Sequence, residues 1–224
     1  MNTLGVKMEV KLISYSQPLN DDIFNDWDAK ELIAYAARVS NPDNQMNKET
    51  VDKLLKYLIK HQHWSPFEMV SACLEITTTR DIARQILRHR SFSFQEFSQR
   101  YADPTKSLKR VVRDARLQDT KNRQNSIDVE DDELQNQWAI QQDSVWLAAF
   151  KAYRWAIEMG IAKEQARAVL PEGMMESRLY MNGTIRSWIH YIELRSANGT
   201  QKEHMEIAKA CGQAIAKIFP YTFE

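Results

Sequence analysis

Arg88-His89-Arg90-Ser91-Phe92-Ser93-Phe94-Gln95-Glu96-Phe97-Ser98-Gln99-Arg100-Tyr101 constrains this 224-residue chain more tightly than any other segment. Arg84, Arg88, Arg90 and Arg100 fall within 17 residues, and Asp81 and Glu96 are the only acids near them. Desolvating a guanidinium is costly unless an anion pairs with it. Arginines gathered beside hydroxyls, one carboxylate and aromatic rings therefore predict a pocket for a phosphorylated, planar ligand. If the chain is extended from Glu96 to Arg100, then Glu96, Ser98 and Arg100 face one side. Glu96 then offers an acceptor to a sugar hydroxyl or a base edge.

The rest of the composition makes this cluster local. Lys and Arg total 30 and so do Asp and Glu, giving a net charge of zero. A general nucleic-acid binder normally carries a basic excess. The apolar fraction of 43% is ordinary for a globular chain, and the length suits one domain with an insertion. No apolar run reaches the roughly 18 residues of a membrane span, and Met1 to Val10 lacks a signal-peptide core, so a cytoplasmic protein is expected. Cys73 and Cys211 are too few for a disulfide framework and read as small buried hydrophobes.

Outward from the cluster, helical and strand periods alternate. Val6 to Tyr15 and Val70 to Ile76 read as strands, the second by alternation. Asp21 to Ser40 reads as a helix broken by Asn41-Pro42, and Asn47 is placed as the cap of a second helix carrying Val51, Leu54, Leu55 and Leu58. Thr79 caps a third helix, on which Gln85, Arg88 and His89 share a face. A long helix is predicted over Leu134 to Met159, with Trp138, Val145, Trp146, Ala149, Phe150 and Tyr153 turned inward and Gly160 closing it. A short helix over Glu164 to Leu170 stops at Pro171. Met175 to Met181 reads as a strand ended by an Asn182-Gly183 turn. Ile185, Trp188, Ile189 and Ile192 form the stripe of a further helix, on which Arg186 and His190 make a second cationic face. The last helix spans Lys202 to Phe219. Between Asp103 and Gln135 lie seven basic residues, from Lys106 to Arg123, and then five acidic ones. Few large apolar residues interrupt them, so this segment reads as a solvated surface excursion with one short helical turn and not as a separate domain, the alternative being a basic arm that touches a phosphate. The expected class is α+β.

No GxGxxG or GxxxxGK[ST] occurs, so phosphates must be held by side chains. No GxSxG occurs, and Ser98 has no His and Asp at triad spacing, which disfavours a hydrolase. His61 and His63 lack the further ligands a metal site needs, and His63-Trp64-Ser65-Pro66-Phe67-Glu68 reads as a turn whose Ser65 and Glu68 could meet a polar ligand. Two readings stand at this point: a nucleic-acid-binding module using the basic 84–123 stretch, and a small nucleotide-phosphate enzyme without a coloured cofactor. Steep salt dependence would mark the first, and the absence of visible colour the second.

Arg88-His89-Arg90, seven residues and then Ser98 match the RHRx7S signature of the flavin-dependent thymidylate synthases. Further blocks resemble that family in order: Ala36-Ala37-Arg38-Val39-Ser40, His63 to Glu68, Gln85, Arg167 with Leu170-Pro171, Arg186 to Tyr191 with Leu194-Arg195, and Phe219-Pro220. Thr184 departs from it, standing where members often carry Asn. The resemblance implies a helix-rich α+β domain over residues 1–224, with a small, mostly antiparallel sheet and the excursion at about 103–135. It implies methylation of dUMP to dTMP, with carbon from 5,10-methylenetetrahydrofolate and electrons from NADPH through FAD. No enzyme cysteine attacks the uracil, and no metal is used. Arg195 is expected to activate the uracil. Gln85, Arg88, Glu96, Ser98 and Gln99 are expected at the nucleotide, and Arg100 and Arg167 at its phosphate. Ser65, Arg88, His89, Arg90 and Glu96 are expected at FAD, with His190 near the flavin or folate and Ser40 a further contact. A homotetramer with active sites at subunit contacts follows from the same resemblance.

Overall fold

Antiparallel pairing organises the centre of the molecule. The computed structural model describes residues 8–19 and 23–220. Strand β1 (Glu9–Tyr15) pairs with β2 (Ser71–Thr79), β2 with β6 (Glu176–Thr184), and β6 with β3 (Ser93–Glu96), giving the order β1-β2-β6-β3. The alternation read in β2 is real: Ala72, Leu74 and Ile76 are buried while Ser71, Cys73 and Glu75 are half-buried. Helices α1 (Ala29–Ala37), α2 (Val51–Lys60), α3 (Arg80–Ile86), α7 (Ile185–Ser196) and α8 (Lys202–Ile215) bury their apolar stripes with this sheet in one core. Trp188 lies fully buried there, and its indole N–H donates to the Ala72 carbonyl at 3.0 Å, so the buried donor is satisfied. Phe219, also fully buried, meets Phe67 edge-on at 5.7 Å. The class is α+β, helix-rich with a small antiparallel sheet.

Several local expectations change. Helix α1 begins at Ala29, because Asp28 and Glu31 form a capping box: the Asp28 carboxylate accepts from the Lys30 and Glu31 N–H groups, and Glu31 accepts from the Asp28 N–H. Asp21 lies outside the described residues, as does Val6 at the start of the first predicted strand. Thr50, not Asn47, precedes α2. Helix α3 ends at Ile86, so Arg88 and His89 sit in the loop beyond it and not on its face. Asn182-Gly183 makes no turn. Strand β6 runs through it to Thr184, which caps α7 by accepting from the Ser187 N–H at 3.3 Å. A Cβ at Gly183 would lie 2.4 Å from Phe92 Cδ1, so this glycine admits a ring and does not reverse the chain.

The charged excursion stays largely at the surface but is anchored to the body at several points. It holds α4 (Pro104–Ser107) and a hairpin of β4 (Arg116–Gln118) with β5 (Ser126–Asp128), and it buries Leu108 and Val111. Arg113 donates to Thr79 at 2.8 Å and pairs with Asp81 at 2.8 Å, while Arg116 pairs with Glu203 and Arg110 with Asp143. Opposite charges elsewhere in the fold, invisible to a local count, turn a basic stretch into an anchored one. Helix α5 (Asp132–Glu158) buries Tyr153 as expected, and Trp146 stacks on Phe150. Trp138 and Val145 were expected inside but are 43% and 52% exposed, on a helix whose buried residues are Gln142, Tyr153 and Ala156. Helix α6 (Lys163–Ala166) continues into a 3-10 turn, Arg167–Val169. No helix among the described residues is long and apolar enough to cross a membrane.

Candidate active site

The loop between α3 and β3 carries Arg88 to Phe92. It is pinned from below by Phe92, which packs on Trp188 at 4.8 Å and Tyr191 at 5.8 Å. That anchor leaves Arg88 and Arg90 exposed. Eight arginines occur between positions 80 and 116. Arg80 and Arg84 share Glu96 and Glu172, Arg100 meets Glu164 at 3.3 Å, and Arg110, Arg113 and Arg116 have carboxylates of their own. Among the described residues, Arg88 and Arg90 form no ion pair. Two adjacent, unneutralised guanidiniums in an otherwise charge-paired region suit an external anion.

His89 turns inward between them. Arg195, near the end of α7, donates through Nε to His89 Nε2 at 2.9 Å. That nitrogen accepts, so the ring is neutral with its proton on Nδ1. Burial, reinforced by the Arg195 charge, holds the His89 pKa below its usual value. The ring meets Tyr191 edge-on at 4.9 Å. Gln85, half-buried at the end of α3, lies against the same wall through His204. The structure thus gathers Gln85, His89 and Arg195, with Arg88 and Arg90 on the rim.

Other expected residues lie in separate groups. The Glu96 carboxylate faces inward: it accepts from Ser177 Oγ at 2.8 Å and sits near Arg80 at 3.6 Å and Arg84 at 3.5 Å. Its expected role as an acceptor for ligand must be shared with these partners. Residues 96–100 do not continue extended. The chain turns at Ser98, whose carbonyl accepts from the Tyr101 and Ala102 N–H groups. Gln99 is 3% exposed, and among the described residues its buried Nε2 has no hydrogen-bond partner, a costly state that a ligand or a neighbouring chain would relieve. The same turn touches α6, where Lys163 donates to the Tyr101 carbonyl at 3.0 Å, next to half-buried Arg167. Ser65 opens a 3-10 turn, Ser65–Glu68, beside Trp64, whose ring meets His190 at 4.8 Å. Arg186 and His190 make no joint cationic face, because Arg186 is neutralised by Glu68. Ser40 lines a cavity of about 490 Å³ with Arg38, whose guanidinium is held by Thr50 at 2.8 Å and the Asn47 carbonyl.

Sequence reasoning missed Tyr191, Gln201, Glu203 and above all His204. The available signal was His204 opening the apolar stripe of Ile207, Ala208, Cys211 and Ile215 on α8, all buried.

The family described as "Thymidylate synthase complementing protein" matches residues 22–221. The chain belongs to that family. A probable flavin-dependent thymidylate synthase of Paramecium bursaria Chlorella virus 1 is 51% identical over 213 residues, covering 95% of this chain and 96% of that one. The flavin-dependent thymidylate synthase of Synechocystis sp. is 49% identical over 217 residues, with 95% and 96% covered. The UMP/dUMP methylase PolB of Streptomyces cacaoi, solved with 5-Br dUMP, superposes with a TM-score of 0.78 at 27% identity, covering 96% of this chain and 93% of that one. This chain is an enzyme of the flavin-dependent thymidylate synthase family.

Proposed function

We propose that this enzyme methylates dUMP to dTMP, taking carbon from 5,10-methylenetetrahydrofolate and hydride from NADPH through FAD. The observation that carries the reading is the pair of unneutralised arginines, Arg88 and Arg90, on the loop that bears the family motif. The residues fit a flavin dinucleotide: the Arg88 and Arg90 guanidiniums, without an ion pair among the described residues, for its phosphates, and the cavity beside Ser40. FAD would be held by Ser40, Ser65, Arg88, His89, Arg90, Glu96 and His190. When bound, it supplies the reducing chemistry that turns the transferred carbon into a methyl group.

The chain's own groups do the rest. Arg195, fixed by its bond to His89, stabilises charge developing on the uracil oxygen. Gln85, Arg88, Glu96, Ser98 and Gln99 hold the nucleotide, with Ser98 as a guide and not a nucleophile. Arg100 and Arg167 take the phosphate. The enzyme assembles as a homotetramer, as the family resemblance implies, with its sites where copies meet. Exposed Trp138, Val145 and Trp155 on α5 give such copies apolar surface to share. No cysteine attacks the uracil. Burial pushes both the Cys73 and Cys211 thiols up, away from the nucleophilic thiolate. Residues 1–224 act as one unit without a resident metal, in the cytoplasm where its reductant and folate are found. Nucleic acid is not a partner, since most arginines of the 84–123 stretch already hold carboxylates.

The test is a drop-out assay. The protein with dUMP, methylenetetrahydrofolate, NADPH and FAD should yield dTMP, and omission of any one should stop it. Formation of dTMP without flavin, or none with all four, overturns the proposal.

A further inference from the structure

A directional chain of hydrogen bonds runs behind the Arg88 loop and passes through Gln85 to Tyr191. It begins in the excursion, where Arg116 pairs with Glu203 at the start of α8. An ionised carboxylate only accepts, so Gln201 must turn its NH2 group towards Glu203, and Nε2 donates to Oε2 at 2.9 Å. That leaves Gln201 Oε1 as acceptor for Gln85 Nε2 at 2.7 Å. Gln85 Oε1 then faces His204 Nδ1 at 3.2 Å, so Nδ1 must carry the ring proton. His204 Nε2 is left to accept from the Tyr191 hydroxyl at 3.1 Å. Each group sets the orientation of the next. His204 is 0% exposed and Tyr191 2% exposed, so water cannot replace either partner. The Tyr191 ring also abuts His89, the group that holds Arg195.

We propose that Glu203, Gln201, His204 and Tyr191 form a positioning relay for the pyrimidine nucleotide, fixing which end of the Gln85 carboxamide meets it. One N–H and one lone pair of that amide remain for the ligand, in a defined order. The charged excursion thereby acquires a part in substrate binding, through Arg116. This inference rests on the reading above that Gln85 contacts dUMP. None of these four residues is a catalytic residue, because none reaches the reacting atoms.

The test compares dUMP binding by equilibrium dialysis, KM for dUMP and kcat across a small set of variants. His204→Leu removes the donor to Gln85 and should weaken dUMP binding by about tenfold, the usual effect of a lost buried hydrogen bond, with kcat at saturation changed by less than about threefold. His204→Asn returns an N–H near the place of Nδ1 and should recover most of that loss. His204→Gln mimics Nε2 instead and should not. Glu203→Gln keeps the size but lets the amide present its N–H, destroying the direction of the chain, and should weaken dUMP binding even if a core variant fails to fold. Histidine 15N shifts of the ligand-free protein should show a neutral His204 ring protonated on Nδ1. An Nε2-protonated or charged ring, or variants that bind dUMP as wild type does, overturns the relay alone. A wild-type protein that does not bind dUMP overturns the functional reading, and the relay with it.

Discussion

Gly183→Ala tests how the sheet supports the arginine loop. The new Cβ would stand 2.4 Å from Phe92 Cδ1 and 2.6 Å from Cε1. Carbon atoms normally approach to about 3.5–4.0 Å, so the ring must retreat by about 1 Å. It has nowhere to go, since Trp188 and Tyr191 hold it at 4.8 and 5.8 Å and it is only 9% exposed. Overpacking of this kind costs about 1–3 kcal/mol, against roughly 0.5–1 kcal/mol recovered by replacing a strand glycine. The net lies between about 0 and 2.5 kcal/mol and centres on about 1 kcal/mol, a fall of roughly 2–5 °C in Tm for a domain of this size. Because Phe92 ends the Arg88–Arg90 loop, flavin affinity should fall as well. Thermal denaturation and flavin titration measure the two effects, and Gly183→Ala/Phe92→Leu should recover stability relative to the single variant. An unchanged Tm with unchanged flavin binding would show that Phe92 does not brace the loop.

Other outcomes follow from the same geometry. Arg195→Ala should abolish dTMP formation while flavin stays bound; near-normal turnover in that variant removes Arg195 from the chemistry. Cys73→Ala and Cys211→Ala should each retain turnover, and a folded cysteine variant without activity would restore a thiolate mechanism. His204 gives an acid limb to stability. Burial first, then Arg195 and His89, lower its pKa to about 4, beneath an unfolded value of about 6.5. The unfolded chain therefore binds the proton first. This contribution is fully present above about pH 6.5 and is lost as pH falls towards 4, by about 3 kcal/mol in order of magnitude. Tm measured from pH 7 to 4.5 should fall more steeply in wild type than in His204→Leu, and equal slopes would contradict a buried neutral ring.

The parts of the fold legible in the sequence were those fixed by local periodicity. The β2 alternation, the α7 stripe at Ile185, Trp188, Ile189 and Ile192, and the α5 length could be read because neighbours in sequence share one environment. Gly183 misled because glycine serves close packing as well as turns, and only the position of Phe92 tells them apart. The 103–135 segment misled because its partners, Asp81, Asp143 and Glu203, are distant in sequence or helical in context. At the site, the arginine cluster was legible from its charge imbalance. The Gln85–His204–Tyr191 wall was not, since a lone histidine on an apolar stripe names no partner until α3, α7 and α8 are packed together.

The central claim is that flavin reduces the carbon delivered to dUMP on this chain. A single-turnover experiment on the wild-type protein measures it directly. The FAD complex is bleached with NADPH without oxygen, and dUMP with methylenetetrahydrofolate is then added. The account predicts that flavin absorbance returns as dTMP forms, about one dTMP per flavin reoxidised. Reoxidation without dTMP, or dTMP formed while the flavin stays bleached, would contradict it.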